Sequence, residues 1–394
     1  MPPDVSFSER FGNIVLFTNA FIAAGKDADN ARSAAKALEE EILHAAKSSD
    51  EYEQICASRL GEAEDPDSPP AQPAEPPQEV EILNTDGPSF GNYQYATYHA
   101  DGQFSTIYKA QSKDEDAVVR IVALKVTRPA MMAPPHNSER EARLLRGSEH
   151  EYVVPLIDTI RESGDVFVLV MPFLKQDLEN LLRSGRLDKE QTWLVFQGLF
   201  EALAHIHDLG IIHRDVKPSN ILLKTMKGPV YLADFGIAWS PDDRDSESAD
   251  SKITDVGTTC YRPPELLFGN RTYDTSLDLW AAGCVVAELL REGHSPLFDA
   301  GPLGSELSLI KSIFSTLGTP DDERWPSAKT YPDWGKMRFK DFQARLWQDL
   351  LPGASDVVVD FIKRTVCYES THRLTAKQAL EHPLASDIKI HQTF

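Results

Sequence analysis

Cysteine is scarce. The 394 residues contain four, Cys56, Cys260, Cys284 and Cys367, with no Cys-x-x-Cys pair. This excludes a disulfide framework and a zinc site built on paired cysteines, and points to a reducing compartment, cytoplasm or nucleus. Positive charge is short: 40 Lys and Arg face 61 Asp and Glu, a net charge of −21. So acidic a chain has no general cationic surface for nucleic acid or anionic lipid, and neither is expected as a partner. Long apolar runs are missing. Residues 14–23 form the longest near the start, interrupted by Thr18 and Asn19 and without a basic leader or cleavage pattern. That run is too short to cross a bilayer. The last residues, His391-Gln392-Thr393-Phe394, carry no lipidation motif.

What is present suffices for a large core: 41% of residues are hydrophobic. At roughly 150 residues per domain, the length suggests two to three folding units. The acidity is uneven. Residues 1–90 hold 18 acidic and 6 basic side chains, a net of −12, against −9 for the other 304. Residues 61–80 contain six Pro, six acids and no Lys or Arg. Such a segment buries too little apolar surface to offset its ordering entropy, so it reads as an extended linker. Upstream, residues 1–60 read as a helical extension. Residues 30–47 have Leu38, Ile42 and Ala45 or Ala46 at helical spacing, which predicts an amphipathic helix packed on residues 11–22 or on the main domain.

From about residue 90 the pattern changes. β-branched and aromatic runs at 93–98, 105–110, 118–126 and 166–171 predict strands. Helical periods then dominate at 177–182, 191–207, 277–291 and 305–316. Strands first and helices later predict an α+β arrangement of two lobes, joined through residues 166–177.

The sharpest chemical signal is Ile212-His213-Arg214-Asp215-Val216-Lys217-Pro218-Ser219-Asn220. Phosphoryl transfer needs a carboxylate for the attacking hydroxyl, a cation near the transferred group and an oxygen ligand for Mg²⁺. Asp215, Lys217 and Asn220 supply these within six residues. Asp234-Phe235-Gly236 is weak alone, since any turn can carry it. Nineteen residues after Asp215 it becomes a second metal-binding carboxylate. In Val122-Ala123-Leu124-Lys125, a lysine among apolar neighbours calls for an anion. Glu141 is its candidate partner, although Ser138-x-x-Glu141 also fits a local capping box.

With these motifs the chain resembles the eukaryotic protein kinases over roughly residues 90–386. The resemblance implies a bilobal kinase fold, a β-rich N-lobe at 90–171 and a helical C-lobe at 175–386, using ATP and Mg²⁺. Pro263-Pro264-Glu265 resembles the Ala-Pro-Glu motif, with Arg373 as its ion-pair partner, and Asp278 lies in the helix that anchors the catalytic loop. The resemblance implies catalytic roles for Asp215, Lys217, Lys125, Glu141 and Thr258, and metal ligation by Asn220 and Asp234. Lys217 and Thr258 favour serine/threonine over tyrosine. The glycine loop would be Ala100, Gly102 and Ser105. The adenine pocket would be Ile107, Ala123, Met171, Phe173, Leu174 and Leu222, with Asp177 near the ribose. Leu145, Leu156, His213 and Phe235 would form an apolar spine.

Finer features resemble the cyclin-dependent-kinase-like (CMGC) group: Phe173 to Leu178, Tyr261-Arg262-Pro263-Pro264-Glu265, and Leu317-Gly318-Thr319-Pro320 before Trp325-Pro326. Four departures stand out. The glycine loop keeps only Gly102. Glu139 occupies the position of the isoleucine that packs on cyclin. Ile253 aligns with the phosphorylated threonine, and Trp239 with one of three arginines that cradle the phosphate, leaving Arg140 and Arg214. Gly257 replaces a strained valine, which implies a relaxed loop and weak selection for proline after the target. Together these resemble the fungal single-subunit kinases that activate cyclin-dependent kinases. The implied protein is a monomer, active without cyclin, that phosphorylates the activation segment of a cyclin-dependent kinase. An acidic residue of 242–255 is expected to serve Arg140 and Arg214 in place of phosphate. A cyclin-bound kinase and an inactive scaffold are the alternatives.

Overall fold

The structure, a computed structural model, describes residues 86–112, 120–185 and 187–390, with part of 10–59. The chain divides into two units, Met1–Glu81 and Ile82–Phe394. The expected linker at 61–80 lies outside the described residues. In the first unit, residues 34–39 and 42–43 are helical. Ala35, Ile42 and Ala46 are buried with Phe17, Tyr52 and Cys56. The buried Glu39 carboxylate accepts hydrogen bonds from Arg10 at 2.8 and 2.9 Å and from the Tyr52 hydroxyl at 2.8 Å.

The second unit opens with an antiparallel sheet of β1 (Tyr93–Asp101), β2 (Ser105–Ser112), β3 (Arg120–Thr127), β4 (Asp158–Glu162) and β5 (Val166–Pro172), in the order β1-β2-β3-β5-β4. Period-2 alternation gives the sheet two apolar faces. Val122, Leu124, Val168 and Val170 fill one, with Ala96 and Ala110. Phe167 and Leu169 fill the other, in one core with Ala142, Leu144 and Leu145 of helix α1 (Ser138–Gly147). Strand β4 was not predicted. Its sequence, Asp-Thr-Ile-Arg-Glu, has one apolar residue, as suits a solvated edge. Residues 118–119 of the third predicted strand lie outside the described residues.

Residues 173–175 lead into the helical lobe: α2 (Leu178–Ser184), α3 (Lys189–Asp208), the small sheet β6 (Gln176–Asp177), β7 (Ile221–Leu223) and β8 (Val230–Leu232), then α4 (Pro264–Leu267), α5 (Ser276–Leu290) and α6 (Glu306–Leu317). Asp356–Thr365, Ala376–Glu381 and Pro383–Ile390 follow. Helix α5 is buried continuously from Leu277 to Leu289, with Asp278 and Glu288 as its only charged residues, and forms the centre of this lobe. Among the described residues no helix is long and apolar enough to cross a membrane.

Candidate active site

The catalytic loop between α3 and β7 is pinned from below by one carboxylate. Asp278 of α5 is fully buried; its Oδ2 accepts from the His213 N–H at 2.8 Å and its Oδ1 from the Arg214 N–H at 2.9 Å. His207 Nε2 lies 2.9 Å from Oδ2. Burial pushes the Asp278 carboxyl up, but His207 and His213 outweigh it and hold the group below its ordinary value. These bonds keep Arg214 at a φ of +71°, a left-handed backbone that a branched residue enters at a cost. The turn delivers Asp215 to the cleft floor.

Asp215 is surrounded by donors. Its Oδ1 accepts from the Thr258 N–H at 3.0 Å and hydroxyl at 2.8 Å. Its Oδ2 accepts from Asn220 Nδ2 at 3.0 Å and lies 2.9 Å from Lys217 Nζ. Lys217 also donates to Thr258 Oγ1 at 2.8 Å, and Asn220 Nδ2 to the Asp215 carbonyl at 2.8 Å. The structure thus joins Asp215, Lys217, Asn220 and Thr258, which the sequence separates by up to 43 positions.

Opposite stands a charge triad of buried Lys125 and Glu141 with Asp234, which is open to the cleft. Lys125 Nζ of β3 donates to Glu141 Oε1 at 2.7 Å, Glu141 Oε2 at 2.8 Å and Asp234 Oδ1 at 2.7 Å. Burial alone would lower the Lys125 pKa; the Asp234 and Glu141 charges overcome it and hold the ammonium above its ordinary value. The same ammonium holds Asp234 well below the carboxylate range. Glu141 is therefore the partner of Lys125. Asn137, not Ser138, caps α1, its side-chain oxygen accepting from the Arg140 N–H at 2.8 Å. Gly236 shows why no side chain follows Phe235: a Cβ there would lie 3.3 Å from Asp234 Oδ1, 3.4 Å from Glu141 Oε2 and 3.5 Å from Lys125 Nζ. The Gly236 carbonyl also accepts from the Asn137 N–H at 3.0 Å, tying α1 to this turn.

The two halves line one cavity of about 540 Å³ that includes Gly102, Ser105, Lys125, Glu141, Asp215, Lys217, Asp234 and Thr258. Sequence reasoning missed His136 and Phe104, which also line it, their rings tilted against each other at 4.7 Å between centroids. Ala100 pairs with Ile107 across the β1–β2 hairpin. Where glycines are absent the hairpin is braced: Asp101 accepts from the Tyr98 hydroxyl at 3.0 Å and the Thr106 hydroxyl at 3.1 Å. Ile107, Ala123, Met171, Phe173, Leu174 and Leu222 are all half-buried, and none of them is among the residues that line this cavity. Ala123 faces Met171 across β3 and β5. Phe173 packs edge-on against His99 at 5.0 Å. Asp177 caps α2, accepting from the Asn180 N–H at 2.8 Å and side-chain amide at 2.6 Å. In the spine, His213 and Phe235 meet edge-to-face at 4.8 Å, with Leu145 and Leu156 in the same core.

The activation segment is ordered. Its Glu247 carboxylate accepts from Arg214 Nη2 at 2.5 Å and the Ile253 N–H at 3.0 Å, and lies 4.0 Å from Arg140 Nη1. Asp243 receives both arms of Arg143 of α1, at 2.7 and 2.9 Å, and Asp245 accepts from Arg143 at 2.5 Å. Arg140 also donates to the Asp245 carbonyl at 3.1 Å and to the Pro135 carbonyl. Trp239 and Ile253, which replace an arginine and a threonine of the expected pattern, share one apolar cluster with Tyr273 and Leu266. Gly257 has a φ of +82°, a left-handed backbone that glycine enters without strain. Glu265 and Arg373 form the expected buried pair at 2.5 and 2.7 Å.

A lysine–glutamate pair over a two-lobed cleft, a catalytic-loop aspartate and a second carboxylate before glycine define a protein kinase. Residues 100–385 match the family described as "Protein kinase domain", and the chain belongs to it. It is 33% identical over 275 residues to "Serine/threonine-protein kinase csk1" of Schizosaccharomyces pombe, covering 68% of this chain and 87% of that one. It is 34% identical over 298 residues to "Cyclin-dependent kinase 7" of Xenopus laevis (73% and 79%), and 33% over 288 residues to "Cyclin-dependent kinase 20" of Danio rerio (72% and 80%). The protein is a serine/threonine kinase of the cyclin-dependent-kinase-like type. Its family uses ATP with Mg²⁺.

Proposed function

We infer that this kinase activates cyclin-dependent kinases by phosphorylating their activation segment, and that it works without a cyclin and without a phosphate of its own. The carrying observation is the acidic turn of the activation segment on three arginines. In a related kinase a phosphate of charge near −2 would gather Arg140 and Arg214 with a third arginine at the position that Trp239 holds here; Arg143 is an additional cation on α1. Here Glu247 occupies Arg140 and Arg214, while Asp243 and Asp245 grip Arg143. Since Arg140, Glu141 and Arg143 share one helix, the clamp also keeps Glu141 on Lys125, work that a bound subunit would otherwise perform. Glu139, where an apolar cyclin contact would be needed, is paired with Arg161 at 2.5 Å. Burying it unpaired against an apolar partner would cost several kcal/mol, on the order of the usual penalty.

The roles of the residues follow from this geometry. Asp234, and the Asn220 amide oxygen left over when its nitrogen serves Asp215, are hard donors suited to Mg²⁺ beside phosphates. The metal, when bound, neutralises charge developing on the transferred phosphoryl group. Lys125 binds the donor's phosphates. Ala100, Gly102 and Ser105 cover them, and Ile107, Ala123, Met171, Phe173, Leu174 and Leu222 form the adenine slot, with Asp177 at its ribose edge. All four acceptor directions of Asp215 are filled, so a substrate hydroxyl takes the place of one donor. Lys217, on a flexible stem, is the one able to leave and turn to the phosphoryl group. Residues 1–60 and 61–80 act as an accessory unit and its tether to the kinase domain of 90–386.

The test is incubation of the purified chain with a monomeric cyclin-dependent kinase, ATP and Mg²⁺, without cyclin. Phosphate is expected on the acceptor's activation segment. Asp215→Asn is expected to lose turnover by roughly three or more orders of magnitude while still binding nucleotide, since Lys125 and Asp234 are untouched. Activity only after addition of a cyclin would favour a cyclin-bound kinase instead.

A further inference from the structure

Beside the segment that carries Thr258, the fold holds out two leucines. The turn Gly301-Pro302-Leu303-Gly304 precedes α6. Its glycines have φ of +70° and +60°, a region they enter without strain, and Pro302 has a fixed φ. Gly304 N–H donates to the Gly301 carbonyl at 3.1 Å, Ser305 N–H to the Ala300 carbonyl at 2.9 Å, and Gly301 N–H to Asp299 Oδ1 at 2.7 Å. A turn closed three ways presents Leu303 with 92% of its surface exposed; Leu307, four positions on, is 54% exposed.

Single exposed leucines are ordinary. Leu303 on this turn and Leu307 at the start of α6 are distinguished by their position beside the substrate loop. A Cβ at Gly304 would lie 3.6 Å from Thr259 Oγ1. Glu306 of α6 accepts from Arg262 at 2.7 Å, and Arg262 donates to the Thr254 carbonyl at 2.9 Å. The leucine turn is thus continuous with the loop that touches Asp215. Glu306 and Asp255, which share Arg262 at 2.7 and 3.8 Å, leave one net negative charge there, their side chains 54% and 97% exposed.

We propose that Leu303 and Leu307 are a docking prong for a folded protein substrate, whose surface near its acceptor hydroxyl carries an apolar socket edged by Lys and Arg. The inference rests on the reading above, in which that substrate is a monomeric cyclin-dependent kinase. A short peptide crossing Asp215 has no concave apolar surface in which to bury a leucine; a folded domain has. Burying one leucine fully multiplies affinity by roughly tenfold to a hundredfold.

The experiment compares wild type, L303S/L307S and the control Ile157→Ser, an exposed residue of the other lobe. Each is assayed on the folded monomeric acceptor and on a short peptide of its activation segment. Binding of an unphosphorylatable form of the folded acceptor is titrated alongside. The double variant is expected to raise KM and Kd for the folded acceptor by roughly tenfold or more, with kcat and the peptide kinetics unchanged. Unchanged KM and Kd, or an equal loss on the peptide, would overturn the proposal. Transfer to the peptide by a wild type that does not bind the folded acceptor also overturns it, and leaves the kinase activity standing. Leucine-dependent binding without phosphate transfer upholds the prong and removes the acceptor as substrate.

Discussion

Replacing Glu247 by alanine removes an acceptor from two donors at once, Arg214 Nη2 at 2.5 Å and the Ile253 N–H at 3.0 Å. It also leaves the Arg214 and Arg140 guanidiniums, 0% and 3% exposed, facing each other without their counter-charge. Burial and the Arg214 charge already lower the Arg140 pKa, so the neighbours repel. Removing one partner of a buried pair costs about 3–5 kcal/mol, and the lower end suits a glutamate that is partly solvated. About 3 kcal/mol shifts an order–disorder balance by roughly two powers of ten. Other pins remain, among them the Tyr273 hydroxyl on the Ile253 carbonyl at 2.6 Å and Arg262 on Thr254. We therefore expect Glu247→Ala to lower kcat/KM on a peptide by roughly tenfold to a hundredfold. Amides of residues 242–255 should exchange faster, while phosphatase-treated wild type keeps its rate. Burial pushes the Glu247 carboxyl up, but Arg214 overcomes this and holds it below its ordinary value of 4.5. A depressed carboxyl contributes fully above the unfolded value and is lost as pH falls through the folded one. Protection of the segment is thus expected to be flat from neutrality to about pH 5 and to fail only in stronger acid. A Glu247→Ala enzyme within twofold of wild type, or a wild type silenced by phosphatase, would refute the reasoning.

Two further outcomes concern stability. Glu265→Ala strands Arg373, whose side chain is 0% exposed, and is expected to cost about 3–5 kcal/mol and roughly 10 °C in Tm; an unchanged scanning-calorimetry midpoint would contradict it. Glu288 is pushed up to about 6 by burial, from 4.5, while accepting from the Tyr261 hydroxyl at 2.7 Å. A raised carboxyl loses its stabilising contribution as pH rises through the folded value, and Gln keeps the acceptor without the charge. Glu288→Gln is expected to be more stable than wild type by about 1–2 kcal/mol at pH 7.5 and nearly equal at about pH 4, read from denaturant midpoints; equal differences at both pH values would rule it out.

The chemistry was legible because it lies in short runs. Residues 212–220 and 234–236 carry it in contiguous motifs, and Lys125 sits in a strand whose apolar neighbours advertise a buried charge. An acidic substitute for phosphate was expected too, but six carboxylates competed for the role. Only the folded path of the segment brings Glu247 to Arg214, 33 positions away, and Asp243 to Arg143, 100 positions away. The cap at Asn137 was hidden by an equally plausible Ser138 one residue on. Strand β4 was hidden because an edge needs no apolar pattern.

The grip of Asp278 on the catalytic loop divides the active site into parts with unequal freedom. Asp215, Lys217, Asn220 and Thr258 are bonded to one another and, through Arg214, to the middle of α5. They travel as one body with the helical lobe. Lys125 and the β1–β2 hairpin belong to the sheet, which reaches that lobe through residues 173–175 and the side chains of α1. Opening of the cleft would load the Lys125–Asp234 contact together with the bonds that tie α1 to residues 236–247, Asn137 to Gly236 and Arg143 to Asp243. On the acceptor side, if Lys217 yields its place to the substrate hydroxyl, its contacts are the ones to re-form in each turnover, while the backbone that carries Asp215 stays bonded to Asp278.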